Sequence, residues 1–387
     1  MSPATGGAAL RTSSVAARRT RVLHIIQNLN YGGMERLLAD IVRQVDPARF
    51  ESHVLVLQYA GRFAEELRGA ATLHLAQPMG RWSMLWPSTL IDQIRGISPD
   101  VVHTHTGVWY KGTLAARRAG VPRLIHTDHG RESPDPWRAR IQDGFASRRT
   151  HVVVAVSDTL ARQLARTVVH DRGRIQLVPN GVDTGVNRPR PDNGVVRGTL
   201  GIPAGAPVLG SIGRLEHIKG YDVMVEAFAL FPADAGSGGA SAHLVLGGDG
   251  GERPRLEERA RALGVGDRVH FLGWRDDVPD LHAAFSLFTM SSRSEGTSVS
   301  LLEAMSAGLC PVVTNVGGNA AVLGPDLGHR LVAPENPGAL AAAWRAALGD
   351  AAARADDGAR ARDRVLESFS LTTMVRHYEA LYQGRGP

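Results

Sequence analysis

Ser294 to Ala304 reads SEGTSVSLLEA and sets Glu295 and Glu303 on either side of a small-residue turn, Gly296-Thr297-Ser298, that opens into an apolar run. Val299, Leu301, Leu302 and Met305 recur at helical spacing, so Thr297 or Ser298 is placed to cap a helix whose free backbone N–H groups attract an anion. One carboxylate then lies in the loop beside that anion site, and the other about one to two turns into the helix. A diphosphate at the helix start would bring a ribose or a sugar within reach of both glutamates, which accept hydrogen bonds from neighbouring hydroxyls. Taken alone, such a segment also describes a capped amphipathic helix with two exposed acids. Its company decides between the two readings.

Upstream, the apolar run Val208-Leu209-Gly210-Ser211-Ile212 ends in Gly213-Arg214-Leu215-Glu216-His217-Ile218-Lys219-Gly220 and is followed by Tyr221, Val223, Met224, Val225 and Phe228. An apolar run broken by glycine and continued by an amphipathic segment predicts strand, loop, helix. Arg214 and Lys219 fall on the loop at the strand's carboxyl end, where open α/β sheets bind ligands. Two such cations hold a diphosphate without a metal, the arginine as a planar fork and the lysine as a point charge. The plain alternative is a pair of solvated surface cations. Near the amino terminus, Arg21 to Gln27 reads as a strand, then Asn28-Leu29-Asn30-Tyr31-Gly32-Gly33 leads to a helix with Met34, Leu37, Leu38, Ile41, Val42 and Val45 on one face. The Gly32-Gly33 pair permits close backbone approach at a helix start, although many loops of this kind are built that way.

Strand-like runs at Val22 to Ile26, His53 to Leu57, Val101 to His103, Leu124 to His126 and Val152 to Val156 alternate with helical or loop segments, as a parallel sheet with crossovers requires. A stretch rich in Pro, Gly, Asn and Arg from Thr184 to Pro207 is the best linker candidate. A second set follows at Val208 to Ile212, His243 to Leu246, Val269 to Phe271, Leu287 to Met290, Pro311 to Thr314 and Arg330 to Val332, with Gly236 to Ala242 reading as a surface insertion.

Composition sets limits. With 387 residues, 43% of them apolar, the chain has material for two ordinary cores. Apolar runs fall short of the ~18 residues that span a bilayer. Arg11, Arg18, Arg19 and Arg21 supply four of the net six positive charges, in a segment without acids or a continuous apolar core. That predicts a basic disordered tail and not a secretory signal. The body left near neutrality argues against a broad nucleic-acid surface. The single cysteine, Cys310, forms no internal disulfide and reads as core packing in a reducing compartment.

Taken in order, GGxE (Gly32 to Glu35), T-x-H-G (Thr127 to Gly130), VPNGVD (Val178 to Asp183), GRLxxxKG (Gly213 to Gly220), FLG (Phe271 to Gly273) and E-x7-E with its LLEAM tail resemble the family 4 glycosyltransferases of the GT-B fold. The resemblance runs from about Arg21 to Tyr382 and is most specific in GRLxxxKG with E-x7-E. It implies an α/β chain of two Rossmann-like parallel-sheet domains facing a cleft. The expected layout is a basic tail over 1–20, an acceptor-side domain over 21–187, a linker over 188–207 and a nucleotide-sugar domain over 208–365. The C-terminal helix within 366–387 would then cross back to the first domain.

The resemblance also assigns roles. Arg214 and Lys219 would bind the donor diphosphate, Glu303 the ribose, and Glu295 with Gly296, Thr297 and Ser298 the sugar and phosphates. Gly33 would approach the donor from the opposite domain, His129 would touch the transferred sugar, and Trp274 and Arg275 would border the base pocket. It implies a retaining hexosyltransferase with no metal and no cofactor. The donor would be UDP- or GDP-linked and the acceptor a glycan, a lipid-linked molecule or a small molecule. His103, His105, His126 and His129 offer only weak metal spacing, without cysteine or a fixed acidic partner.

The expected setting is cytoplasmic, with the apolar-basic stretch Arg81, Trp82, Met84, Leu85 and Trp86 either meeting the inner face of a membrane or packed on its own domain. Rival readings are a phosphorylase or sugar-nucleotide epimerase on the same scaffold, and a non-catalytic nucleotide binder or dinucleotide oxidoreductase. Against the oxidoreductase, no G-x-G-x-x-G follows the first strand.

Overall fold

The computed structural model describes residues 18–30, 32–80, 83–130, 136–231 and 241–386. Tyr31, Arg81, Trp82, Arg11 with most of the basic tail, and residues 236–240 of the Gly236 to Ala242 insertion lie outside the described residues.

Among the described residues, thirteen strands form two separate parallel sheets, as two α/β repeats with crossovers demand. The first contains β1 (Thr20–Ile26), β2 (Phe50–Val56), β3 (Thr72–Leu75), β4 (Val101–His105), β5 (Arg123–Asp128), β6 (Val152–Ala155) and β7 (Ile175–Leu177). The second contains β8 (Val208–Ile212), β9 (His243–Gly247), β10 (Val269–Phe271), β11 (Leu287–Met290), β12 (Pro311–Thr314) and β13 (Leu331–Val332). Their orders are β3-β2-β1-β4-β5-β6-β7 and β10-β9-β8-β11-β12-β13. In each sheet the strand order reverses direction beside the first strand, between β1 and β4 and between β8 and β11. A crevice opens at such a point because the crossovers leave to opposite faces. The two halves therefore repeat one Rossmann-like plan.

The central strands read as unbroken apolar runs because helices cover both faces of each sheet. Leu209, Leu244, Leu246, Leu287 and Val312 are buried under Phe228, Leu256 and Trp344 in the second half. Cys310 is buried in the same cluster, and the apolar surroundings push its thiol up to about 11. Edge strands β3 and β7 escape a hydrophobic-run search because they are short and partly exposed. β1 begins at Thr20, and Arg18 and Arg19 pair with Asp100 and Glu51, so the last residues of the expected tail are held against the first sheet. Within 188–207, Val196 and Ile202 are buried with Val245, Leu281 and Phe285, which fastens that connection to the second half.

The C-terminal helix, Leu371–Tyr382, buries Leu371, Met374, Val375, Tyr378, Leu381 and Tyr382. They join Val22, Leu37, Ile41 and Phe50 of the first half in one cluster. The two crossings between halves run side by side: Val182 pairs with Ser370, flanked by bonds from the Val182 amide to the Phe369 carbonyl (2.9 Å) and from the Leu371 amide to the Val182 carbonyl (2.9 Å). Gly181 is required there, since a Cβ would lie 2.6 Å from the Ser370 carbonyl oxygen.

Candidate functional site

The segments that follow β1, β5 and β6 in one half meet the segment that follows β11 in the other. After β8, Gly213 to Gly220 turns sharply back beneath the loop after β11. Gly220 has φ +64°, and a Cβ there would sit 2.2 Å from the Ser291 carbonyl oxygen. This packing brings Lys219 to Glu295: the ammonium Nζ donates to Oε1 at 2.7 Å, and the Ser292 hydroxyl donates to the same oxygen at 2.6 Å. Both charges are mostly shielded from water, with side chains 23% and 7% exposed, so the pair is more than a surface contact. Arg214 is half exposed, bound at 2.8 Å to Glu216.

The helix that follows, Val299–Ser306, is capped by Ser298, whose hydroxyl accepts from the Leu301 amide at 3.4 Å. Thr297, the other expected cap, does different work. Its hydroxyl donates to the Val156 carbonyl of the first half, and its own carbonyl accepts from Asn180 Nδ2 at 2.7 Å. Gly296 lies under His129, where a Cβ would stand 2.5 Å from the His129 carbonyl oxygen. Opposite, the first helix (Gly33–Gln44) starts against the start of the Val299–Ser306 helix, and a Cβ on Gly33 would meet Val299 Cγ2 at 3.4 Å. Two helix N-termini from two halves thus converge on one place, and both attract negative charge.

Acids line this junction. The Glu35 carboxylate folds back over Gly32 and is held above the usual carboxylate range by burial, partly offset by its own backbone hydrogen bond and by Arg214. Burial also raises Asp40 to about 6 and Glu303 to about 7, with Arg36 opposing both shifts. Glu303 thus shares its surroundings with Asp40 and Arg36 of the facing helix. The sequence reading placed it by its own helix alone.

His129 follows β5 directly. Its backbone amide donates to Thr106 Oγ1 at 2.8 Å, its Nε2 meets His105 Nδ1 at 3.3 Å, and its Nδ1 is buried without a partner. Burial lowers its pKa to about 4, so the ring is neutral. His126 turns away, stacked on Trp109 at 4.0 Å with Nδ1 on Thr104 Oγ1. Trp274 packs across the cleft against the cluster of Ile26, Leu29 and Phe63, with its indole N–H on Asp276 Oδ1 at 3.0 Å. Arg275 is engaged by Asp277 through both ends of its fork.

Comparison with known proteins identifies the chain. The family descriptions Glycosyltransferase Family 4 and Glycosyl transferases group 1 match residues 31–186 and 195–364. The 2-deoxystreptamine N-acetyl-D-glucosaminyltransferase of Streptomyces fradiae is 32% identical over 299 residues, 73% of this chain and 70% of that protein. This chain is a family 4 glycosyltransferase. The glycosyltransferase is also 30% identical over 237 residues to the UDP-Gal:alpha-D-GlcNAc-diphosphoundecaprenol alpha-1,3-galactosyltransferase of Escherichia coli, over 57% of this chain and 59% of that protein. In fold it is similar to Anabaena HepE, solved with UDP and glucose, at a TM-score of 0.83 and 23% identity over 95% of this chain and 100% of that one. The two parallel-sheet halves are those of the GT-B fold, and the reaction is glycosyl transfer from a nucleotide sugar.

The glycosyltransferase's site also holds residues that no sequence motif flagged. Ser292 and Asp40 are two, and His24 is the third. His24, His103 and His105 bring ring nitrogens within 4.8 Å of one another. Two of those rings were visible in VHTH; His24 joins them only through the register that pairs it with His103 across β1 and β4.

Proposed function

We propose that this glycosyltransferase is a retaining, metal-independent enzyme that takes a hexosyl group from a UDP-sugar to a glycan acceptor carried on a lipid. The observation that carries this reading is the Lys219, Glu295 and Ser292 cluster, set beside a helix N-terminus at the reversal point of the second sheet and facing Gly33 and His129. A departing diphosphate gathers negative charge. Lys219, Arg214 and the free amides at the start of the Val299–Ser306 helix would stabilise it, with Lys219 moving from Glu295 towards phosphate. Glu295, relieved of its lysine, would accept from sugar hydroxyls, and Glu303 would serve the ribose. In this reading a leaving phosphate oxygen takes up the acceptor's proton. The UDP choice is supported by the E. coli relative and by the UDP complexes of HepE.

For the acceptor, support comes from two exposed apolar-basic patches on the first half. Met84, Leu85 and Trp86 are exposed, with the Arg118 guanidinium 4.5 Å over the Trp86 ring. Trp137, Ile141 and Phe145 form an exposed stripe along the Trp137–Ser147 helix, which also carries Arg138 and Arg140. An anionic lipid surface suits both. Among the described residues no helix is long and apolar enough to cross a membrane.

The test is turnover of a UDP-sugar panel with lipid-linked acceptor, before and after EDTA, with the anomeric configuration of the product read by NMR. Expected are an unchanged rate after chelation and a product with the donor's configuration. Loss with EDTA and recovery with a divalent ion, or an inverted product, would refute the mechanism. Sedimentation with anionic vesicles but not with neutral ones checks the membrane part.

A further inference from the structure

His24 within β1, His105 at the end of β4 and His129 just after β5 lie on three neighbouring strands and touch in a row. His24 Nδ1 lies 3.3 Å from His105 Nε2, and His105 Nδ1 lies 3.3 Å from His129 Nε2. Successive ring planes differ by only 18° and 22°, and the ring centroids lie 5.6 Å apart in each pair, close to the most that a 3.3 Å N···N contact allows, so each contact runs roughly within the planes of both rings. At the two ends, His24 Nε2 and His129 Nδ1 are buried and unbonded. His103 is not part of the row: its Nε2 pairs with Thr127 Oγ1 at 2.7 Å and its Nδ1 with Tyr382 at 3.0 Å. We infer that His24 and His105 are positioning residues that fix His129 in the Nδ1–H tautomer, so that it presents a hydrogen-bond donor to the transferred sugar.

The argument is one of counting protons. Burial holds all three rings neutral, so each carries one N–H and one lone pair. Two N–H···N contacts in series admit only two registers. In one, every ring donates from Nδ1: His24 to His105, His105 to His129, and the His129 Nδ1–H is left over at the end next to the other half. The end left over in the core is then a lone pair on His24 Nε2. In the other, every ring donates from Nε2, and the proton left over is the His24 Nε2–H, on a wholly buried ring whose Nε2 has no hydrogen-bond partner. A buried donor without a partner costs about 1–3 kcal/mol, and orphaned N–H groups are rarer in proteins than under-used acceptors. The first register leaves its unbonded N–H on His129, a part-buried residue at the junction with Gly296 of the other half, where the proposed sugar would accept it. The second never satisfies its own. Free imidazole favours Nε2–H, so the row holds His129 in its less common form, as a donor and not as a base. This rests on the proposed placement of His129 against the sugar.

The test needs no substrate for its first part. With histidines labelled in 15N, long-range N–H correlation reports which ring nitrogen of His129 is protonated, and loss of its signals in His129→Asn assigns them. The wild-type protein should show protonation on Nδ1. In His105→Phe nothing donates to Nε2, so the proton should move to Nε2, with kcat/KM about tenfold lower and affinity for UDP unchanged. Protonation on Nε2 in the wild type overturns the inference, and so does an unmoved proton in His105→Phe. Should that variant not fold, the wild-type tautomer alone decides. A correct tautomer combined with normal turnover in His129→Ala would instead refute the placement of His129 at the sugar.

Discussion

Arg214 and Lys219 separate two kinds of cost. Arg214 is half exposed and its partner Glu216 is also solvated, so Arg214→Ala should leave thermal stability within experimental scatter while turnover falls by about 10²–10³-fold. Lys219→Ala strands the shielded Glu295 carboxylate with Ser292 alone, so it should lose stability as well as rate. Unfolding scans beside initial rates distinguish them. The pair itself was legible as two separate motifs, but not as a salt bridge, because nothing in either segment says that Gly220 folds one loop beneath the other. Glu303 offers a pH signature. Burial holds its folded pKa at about 7, above the ordinary 4.5, so its contribution to stability is fully present below about 4.5 and is lost as pH rises through 7. Wild-type melting temperature should therefore fall from pH 5 to pH 8 more steeply than that of Glu303→Gln. Some slope should remain in the variant from Glu35 and Asp40, which are raised in the same direction. Equal slopes would remove the assigned cause.

At the scale of elements, Gly296 lies where loops from the two halves pack against each other. A methyl group there meets the His129 backbone carbonyl at 2.5 Å, and a backbone atom does not yield as a side-chain tip does. Gly296→Ala should therefore push the halves apart and cut kcat at least tenfold, with each half still folded by circular dichroism. Unchanged kcat would mean the contact does not define the reactive geometry. Most strands were legible because a sheet covered on both faces needs uninterrupted apolar runs. β3 and β7 were not, since edge strands of three or four residues with exposed positions bury too little to leave a pattern. The histidine row was illegible for a related reason. Its members lie on β1, on β4 and just after β5, and only strand order and register make them neighbours.

In the whole molecule, the Leu371–Tyr382 helix belongs by packing to the half from which it is most distant in sequence. It buries six large side chains against the first half, worth about 1.5–3 kcal/mol each. Their sum, on the order of 10 kcal/mol, matches the net stability of an ordinary domain. A chain ending at Phe369 should therefore fail to accumulate as soluble protein, whereas Tyr382→Phe, which removes only the hydroxyl that meets His103, should accumulate normally. Recovery of a soluble, cooperatively melting truncated chain would show the helix to be dispensable. The same packing bears on how the protein is made. Synthesis runs from the amino end, and at about 5–20 residues per second roughly ten to forty seconds separate the completion of β7 from the emergence of this helix. Throughout that interval the first half, though already whole in its strands, keeps an apolar face uncovered while the second half is being threaded out. The half that leaves the ribosome first is thus sealed last, and a nascent chain of this enzyme is most exposed to aggregation or to chaperone capture on the part translated earliest.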